Sequence, residues 1–332
     1  MQTTKDSNMH NSLTRTARVR HRGRCMRSAL LFVLATMGLQ AHAAWRESDE
    51  RIKSRSGAEE VSVHVLVAQV AEVVSAANAT GSKAEQQRAS APSDIVFFFP
   101  GAEGRVRPAR EGISNHNPNG RPSTMGLLAE SLGLAVAIGL PSDQTGGIST
   151  QWRLGAEHLA DADAVIDTFT KRYPKARITL VGMSNGGRSV TAVANAIVRR
   201  GAPKLHGVVV MSSMPEAINK DVMLPIIEAR VPVLVMHHKR DSCLPYRFME
   251  SATKQYEKGL VWVGTDDVRA PTVSPFNRDC GSGSAHVFGG REEWAYGTIA
   301  EWIKTGAIAD SVRRGGITQP EKVSAPSNPV SR

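Results

Sequence analysis

Cysteine is scarce in this chain, with three in 332 residues, and neither Cys243 nor Cys280 has a Cys-x-x-Cys partner or a histidine pair at ligand spacing nearby. A zinc knuckle is thereby excluded, and no spacing in the sequence implies a metal or an organic cofactor. Long apolar runs are also missing. The longest, Ser28 to Leu39, falls short of the roughly 20 residues that a membrane-spanning helix needs. Net positive charge is low over most of the length: the formal charge is +10, but residues 1–43 hold seven basic residues against one acidic residue. The remainder is close to neutral, which removes the case for a nucleic-acid partner. No internal repeat is present. Hydrophobic residues at 41% and charged residues at 22% are ordinary globular usage, so the body of the chain is expected to bury a core.

The basic stretch at the start runs into the Ser28 to Leu39 segment and then Ala41-His42-Ala43. A charged flank, a short apolar run and a small-x-small site read as a cleavable secretory signal over residues 1–43, with Ala44 as the mature N-terminus. The competing reading, a stop-transfer anchor, asks for a longer apolar run. Met26 begins a compact signal of ordinary proportions and is the alternative translation start. Export to the periplasm or the medium would leave Cys243 and Cys280 as an even pair in an oxidising compartment, and hence a disulfide candidate. Two free buried thiols are the alternative.

Hydrophobic periodicity organises the rest. Val61 to Val67 alternates at period two, and Asp94 to Phe99 is a continuous apolar run of the kind buried on both faces of a sheet. Residues 75–93 read as a polar connection. Helical period over Ser123 to Ser131 precedes a strand at Leu132 to Leu140 and one helix from Leu154 to Arg172. Further strands fall at Arg177 to Val181, Leu205 to Met211, Val231 to His237 and Leu260 to Val263. Helices are expected at Gly187 to Arg200, around Tyr246 to Tyr256, and at Glu292 to Lys304. Strands alternating with helices predict an α/β fold with a mainly parallel, doubly wound sheet, helices on both faces and an antiparallel pair at one edge. A single domain over 44–309 and an unstructured polar tail over 310–332 complete the expectation.

Gly182-x-Ser184-x-Gly186 lies between a short apolar strand and a helix of small residues. In that setting the pattern is a nucleophile elbow: a turn so tight that side chains beside the serine would strike the neighbouring elements. A serine hydroxyl needs a base, and the base needs an orienting carboxylate. Asp241 stands just past the strand ending at His237, and His286 stands on a Gly/Ser-rich stretch before the last helix, giving the order Ser, Asp, His. Asp266, Asp267 and Asp279 compete for the acid. His237 and His238 are too near the acid in the chain to reach Ser184 and are expected to pack beside the site. His158 is expected to be a satisfied structural histidine, His116 and Glu103 to be solvated, and the Asn78-Ala79-Thr80 sequon to be a chance match.

With these residues in place the sequence resembles the α/β-hydrolase superfamily over about residues 60–305. The resemblance implies Ser184 as nucleophile, His286 as general base and Asp241 as its partner. It also implies an oxyanion hole from the backbone N–H of Asn185 and from the loop Phe99-Pro100-Gly101-Ala102-Glu103-Gly104, with Ala102 as second donor and Gly101 as alternate. Where the family often has His-Gly, this chain has Pro100-Gly101. Only about twenty residues separate the strands ending at Met211 and starting at Val231, so the lid is small or absent. The reading that emerges is an exported serine hydrolase of small or polymeric carboxylic esters, without cofactor. A peptidase or amidase of the same fold, and a non-catalytic binding protein on a hydrolase scaffold, are the rivals.

Overall fold

The computed structural model describes residues 45–68, 91–106, 124–256, 260–265, 280, 284–289 and 291–307. The leader over 1–43 with Cys25 and Met26, most of the 75–93 connection, Asn78, His116, Asp266, Asp267, Asp279 and the 310–332 tail lie outside the described residues.

Eight strands form one sheet: β1 (Trp45–Ser54), β2 (Glu59–Ala68), β3 (Asp94–Phe99), β4 (Gly133–Pro141), β5 (Arg177–Met183), β6 (Leu205–Met211), β7 (Val233–His238) and β8 (Leu260–Thr265). Their order across the sheet is β1-β2-β4-β3-β5-β6-β7-β8. β1 pairs antiparallel with β2, and β2 with β4; every later pair is parallel. The expected antiparallel edge is therefore β1 and β2.

β3 is buried along its whole length because the sheet is covered on both sides. Ile95, Phe97 and Phe99 join a core with residues of α3 (Ala156–Arg172), α4 (Gly186–Arg200) and α5 (Lys220–Glu228). Val96 and Phe98 point the other way, into a core with α1 (Thr124–Leu132) and α7 (Glu292–Thr305). Alternation at period two thus splits one apolar run between two layers. Each buried phenylalanine contributes roughly 1.5–3 kcal/mol, and Phe97 adds an edge-on contact to Phe169 of α3 at 6.1 Å.

Two helical readings need correction. The single helix expected from Leu154 to Arg172 is two helices, α2 (Thr150–Leu154) and α3, broken at Gly155, whose ψ of 160° is extended. Ser149 caps α2 by accepting the Trp152 N–H at 3.1 Å. α5 went unread because Pro225 lies inside it, although Asn219 caps it by accepting the Val222 N–H. The last helix of the acid side, α6 (Tyr246–Thr253), begins where expected. Residues 212–232 hold only a 3-10 turn, Pro215–Ile218, and α5, so no large lid is inserted there. No helix among the described residues is long and apolar enough to cross a membrane.

From β3 the chain turns through α1 to β4 on one side; from β5 it continues through α4 to β6 on the other. The loops leaving β3 and β5 therefore part company, which opens a crevice at the carboxyl ends of these two strands.

Candidate active site

β5 delivers Ser184 to that crevice. Its φ of 53° is left-handed, a strained conformation for a residue with a side chain. The strain is held by three bonds: Ser184 N–H donates to Met211 O at 2.9 Å, and Ser184 O accepts from Gly187 N–H at 2.9 Å and from Ser213 Oγ at 2.7 Å. The glycines answer to close approach. A Cβ on Gly182 would collide with the Gly186 carbonyl, and one on Gly186 with the Phe99 carbonyl of β3. The expected elbow is formed, and Ser184 is half-buried with an Oγ that bonds to no described residue.

Two strands further along, the loop after β7 carries Asp241, which is buried. Its Oδ1 accepts the backbone N–H groups of Cys243 at 3.0 Å and Leu244 at 2.9 Å. Its Oδ2 accepts from His286 Nδ1 at 2.8 Å and lies 3.2 Å from His237 Nε2. Burial alone would raise this carboxyl, but hydrogen bonds from His237 and His286, the attraction of His286 and the Leu244 N–H together hold it at about 2. It is ionised at neutral pH. His286, on the 3-10 turn Ala285–Val287, is also buried. A carboxylate only accepts, so Nδ1 carries the ring proton and Nε2 of the neutral ring is left as an acceptor.

His237 is fully buried and donates from Nε2 to Leu244 O at 2.7 Å, which fixes its tautomer. It packs beside the acid as expected, yet its role as a second donor to Asp241 was not legible in the sequence. Cys243 and Cys280, 37 residues apart, form a disulfide with a Cα separation of 4.9 Å. The bridge ties the acid loop to the stretch that leads to His286. Asp241, Cys243 and His286 hold possible ligand atoms within 4.8 Å of one another. They do not suit a metal in this state, because the sulfur is in the disulfide and the carboxylate oxygens are occupied by hydrogen bonds.

Beyond β3 the loop from Pro100 to Gly104 presses on the elbow: a Cβ on Gly101 would stand 2.9 Å from Ser184 Cβ. Gly101 O accepts the Gly104 N–H at 2.8 Å, and Glu103 O accepts the Ile148 N–H at 2.8 Å. Ala102 O accepts from Arg153 Nη2 at 2.9 Å and from Asn185 Nδ2 at 3.3 Å. The backbone N–H groups of Ala102 and Asn185 donate to no described residue. Arg153, on α2, was passed over in the sequence because it stands in no motif; only the Gly155 break, had it been read, would have turned it inward. It is 1% exposed, and burial followed by repulsion from Arg188 lowers it to about 10, so it stays charged.

Glu103 is exposed, as expected. His158 differs from expectation: it is buried against Phe99, with ring centroids 6.2 Å apart, but its Nε2 has no partner among the described residues.

Strand order, the elbow after β5, the acid after β7 and the histidine before the last helix together define the α/β-hydrolase fold. No family model and no curated protein sequence matches the chain. Among solved structures it is similar to a Pyrococcus horikoshii acylaminoacyl peptidase at 12% identity and TM-score 0.49, over 80% of this chain and 42% of that one. The chain thus spans less than half of that protein's length. It is also similar to a Pyrobaculum calidifontis esterase, at 15% identity and TM-score 0.49 over 80% of this chain and 86% of the other. A Xanthomonas campestris α/β serine hydrolase described as lacking a lid gives 14% identity and TM-score 0.46 over 81% and 94%. The fold assignment itself rests on the strand order.

Proposed function

We propose that the chain is an exported serine hydrolase of carboxylic esters. The observation that carries this reading is the left-handed Ser184 at the crevice, with an Asp241–His286 pair hydrogen-bonded at 2.8 Å on the same edge of the sheet. In the proposed reaction Ser184 Oγ attacks the ester carbonyl while His286 Nε2 takes its proton. Asp241 holds the imidazole in the tautomer that leaves Nε2 free and stabilises its positive charge. The carbonyl oxygen becomes an oxyanion facing the unpartnered N–H groups of Asn185 and Ala102. Collapse of the intermediate breaks the C–O bond, and His286 returns the proton to the leaving alcohol. Water then repeats the sequence on the acyl-enzyme, with His286 as base. The Ser184–His286 hydrogen bond is not formed here and would close when substrate enters, as is common for unliganded sites.

The short segment between β6 and β7 supports an open site for soluble esters or the ester ends of polymers over a lipid interface. Esters are proposed over amides because an alkoxide leaves the tetrahedral intermediate more readily than an amine does, and the panel below separates the two. Export rests on the sequence pattern of residues 1–43, and intact-mass analysis of protein recovered from the cell envelope or medium should give a chain beginning near Ala44. The activity is tested with a fluorophosphonate probe, followed by peptide mapping, beside a panel of p-nitrophenyl esters of graded acyl length and aminoacyl anilides. Labelling at Ser184 with turnover of esters is expected. Labelling of another serine, or faster turnover of the anilides, overturns the corresponding part of the reading.

A further inference from the structure

The proposed chemistry leaves one buried cation unexplained. Among the described residues the Arg153 guanidinium bonds to neutral acceptors alone: Nη1 donates to Ser189 Oγ at 2.9 Å, and Nη2 to Ala102 O at 2.9 Å and Gly101 O at 3.4 Å. Among the described residues its Nε has no partner and no carboxylate bonds to it. Glu103 is near enough to act on its charge but is exposed, and Arg188 acts in the opposite sense. Burying a charge without a counter-charge is unfavourable in the resting protein. A neutral amide could hold the same two carbonyls without that cost.

Those carbonyls belong to the loop that meets Ser184. The Gly101–Ala102 peptide is planar and trans, so fixing Gly101 O on the side of Arg153 and Gly104 turns the Ala102 N–H to the opposite side. Ala102 itself has a φ of 44°, left-handed, and its own carbonyl is the one that Arg153 grips most closely. Left to itself a residue with a Cβ would relax to negative φ, and the N–H would swing with it. Ser189, the anchor of the other guanidinium arm, lies on α4, the helix that starts at the elbow.

Resting on the proposed serine hydrolysis, we propose that Arg153 is the positioning residue of the oxyanion hole. It locks the Ala102 N–H towards the developing oxyanion and places behind that peptide a buried positive charge that the oxyanion balances more closely than the exposed Glu103 does. The positive charge costs the ground state and favours the transition state, which is how a buried uncompensated cation contributes to rate rather than to binding.

The test compares wild type, Arg153→Gln, Arg153→Lys and Ser189→Ala with p-nitrophenyl acetate and with an aryl trifluoromethyl ketone, which forms an oxyanion on Ser184. Arg153→Gln is expected to lose about 100-fold in kcat with KM changed by less than about threefold, and to weaken ketone binding by the same factor as kcat/KM. Arg153→Lys should recover part of both, because it restores charge without the fork. Ser189→Ala, which leaves the charge and loosens one arm, should weaken the ketone by roughly threefold to tenfold. Should the Arg153 variants not fold, Ser189→Ala decides the matter. Ketone affinity equal to wild type in a folded Arg153→Gln enzyme, or in Ser189→Ala where that variant stands alone, overturns the proposal. A wild-type protein that the fluorophosphonate does not label at Ser184 instead overturns the hydrolase reading, and the role of Arg153 with it.

Discussion

Replacing His158 by leucine removes an ionisable group whose neutral form the fold enforces. His158 is 3% exposed, third in α3, and edge-on to Phe99. Burial, and then the charge of Arg153, lower it from 6.5 to about 4; the positive end of the helix acts in the same direction. Between those two values the unfolded chain binds a proton at this position and the folded chain does not. Stability therefore falls as pH falls, starting near 6.5 and complete near 4. At about 1.4 kcal/mol per pH unit, the interval caps the loss at roughly 3 kcal/mol. Leucine fills a similar volume and leaves no unpaired Nε2, so His158→Leu should abolish this component while leaving others in place. Urea unfolding of both proteins from about pH 7.5 to about pH 4, followed by tryptophan fluorescence, gives the difference directly. The wild type should lose up to roughly 3 kcal/mol more than the variant over that range. Parallel stability curves for the two proteins would refute the reasoning.

Ser184→Ala and His286→Ala should each lower ester turnover by about 10⁴ to 10⁶-fold, and the double variant should be scarcely worse than either alone, since the two act as a unit; additive losses in kcat would contradict that. Asp241 contributes stability that is present above its unfolded value of 3.8 and is lost as pH falls towards about 2, an acid limb worth about 2 kcal/mol. His237→Phe removes the Nε2–H that Leu244 O shares with this carboxylate at 3.2 Å, so the limb should move to higher pH in circular-dichroism titration. Cys243→Ser with Cys280→Ser opens a loop of 37 residues and should cost at most about 4 kcal/mol of stability. Ester turnover should fall with it, because the Cys243 N–H is one of the bonds on Asp241; peptide mapping that finds two free thiols in the native protein would remove the premise.

What could be read without coordinates was what repeats or what is locally constrained. β3 was legible as a doubly buried strand because six consecutive residues are apolar or paired, and the elbow was legible because its glycines stand at fixed spacing about Ser184, although Gly186 answers to the distant Phe99 carbonyl and only Gly182 to a local contact. Chain order made Asp241 and His286 candidates, with Asp266, Asp267 and Asp279 competing for the acid. Arg153 was not legible because its partners, Gly101, Ala102 and Ser189, lie 36 to 52 residues away and meet it only after α2 is turned at Gly155. His237 failed to stand out for a related reason, since a histidine at a strand end looks the same whether it faces solvent or donates to a buried acid. β1 has an ordinary polar sequence, and only its ten-residue pairing with β2 makes it a strand.

The parallel pairing of β3, β5, β6 and β7 also bears on how the protein reaches its working form. Ser184, Asp241 and His286 belong to segments that no hairpin can bring together, and the Asp241–His286 bond alone spans 45 residues. Loop closure on that scale precedes any gain from the contacts it makes, and sheets of this kind fold slowly. Helical signal in far-ultraviolet circular dichroism should thus return early after dilution from denaturant, while the proposed ester hydrolysis should return only once the sheet is complete through β7 and the segment before α7 has docked on it. During that interval the apolar strands stand uncovered, so yield on refolding should fall as protein concentration rises.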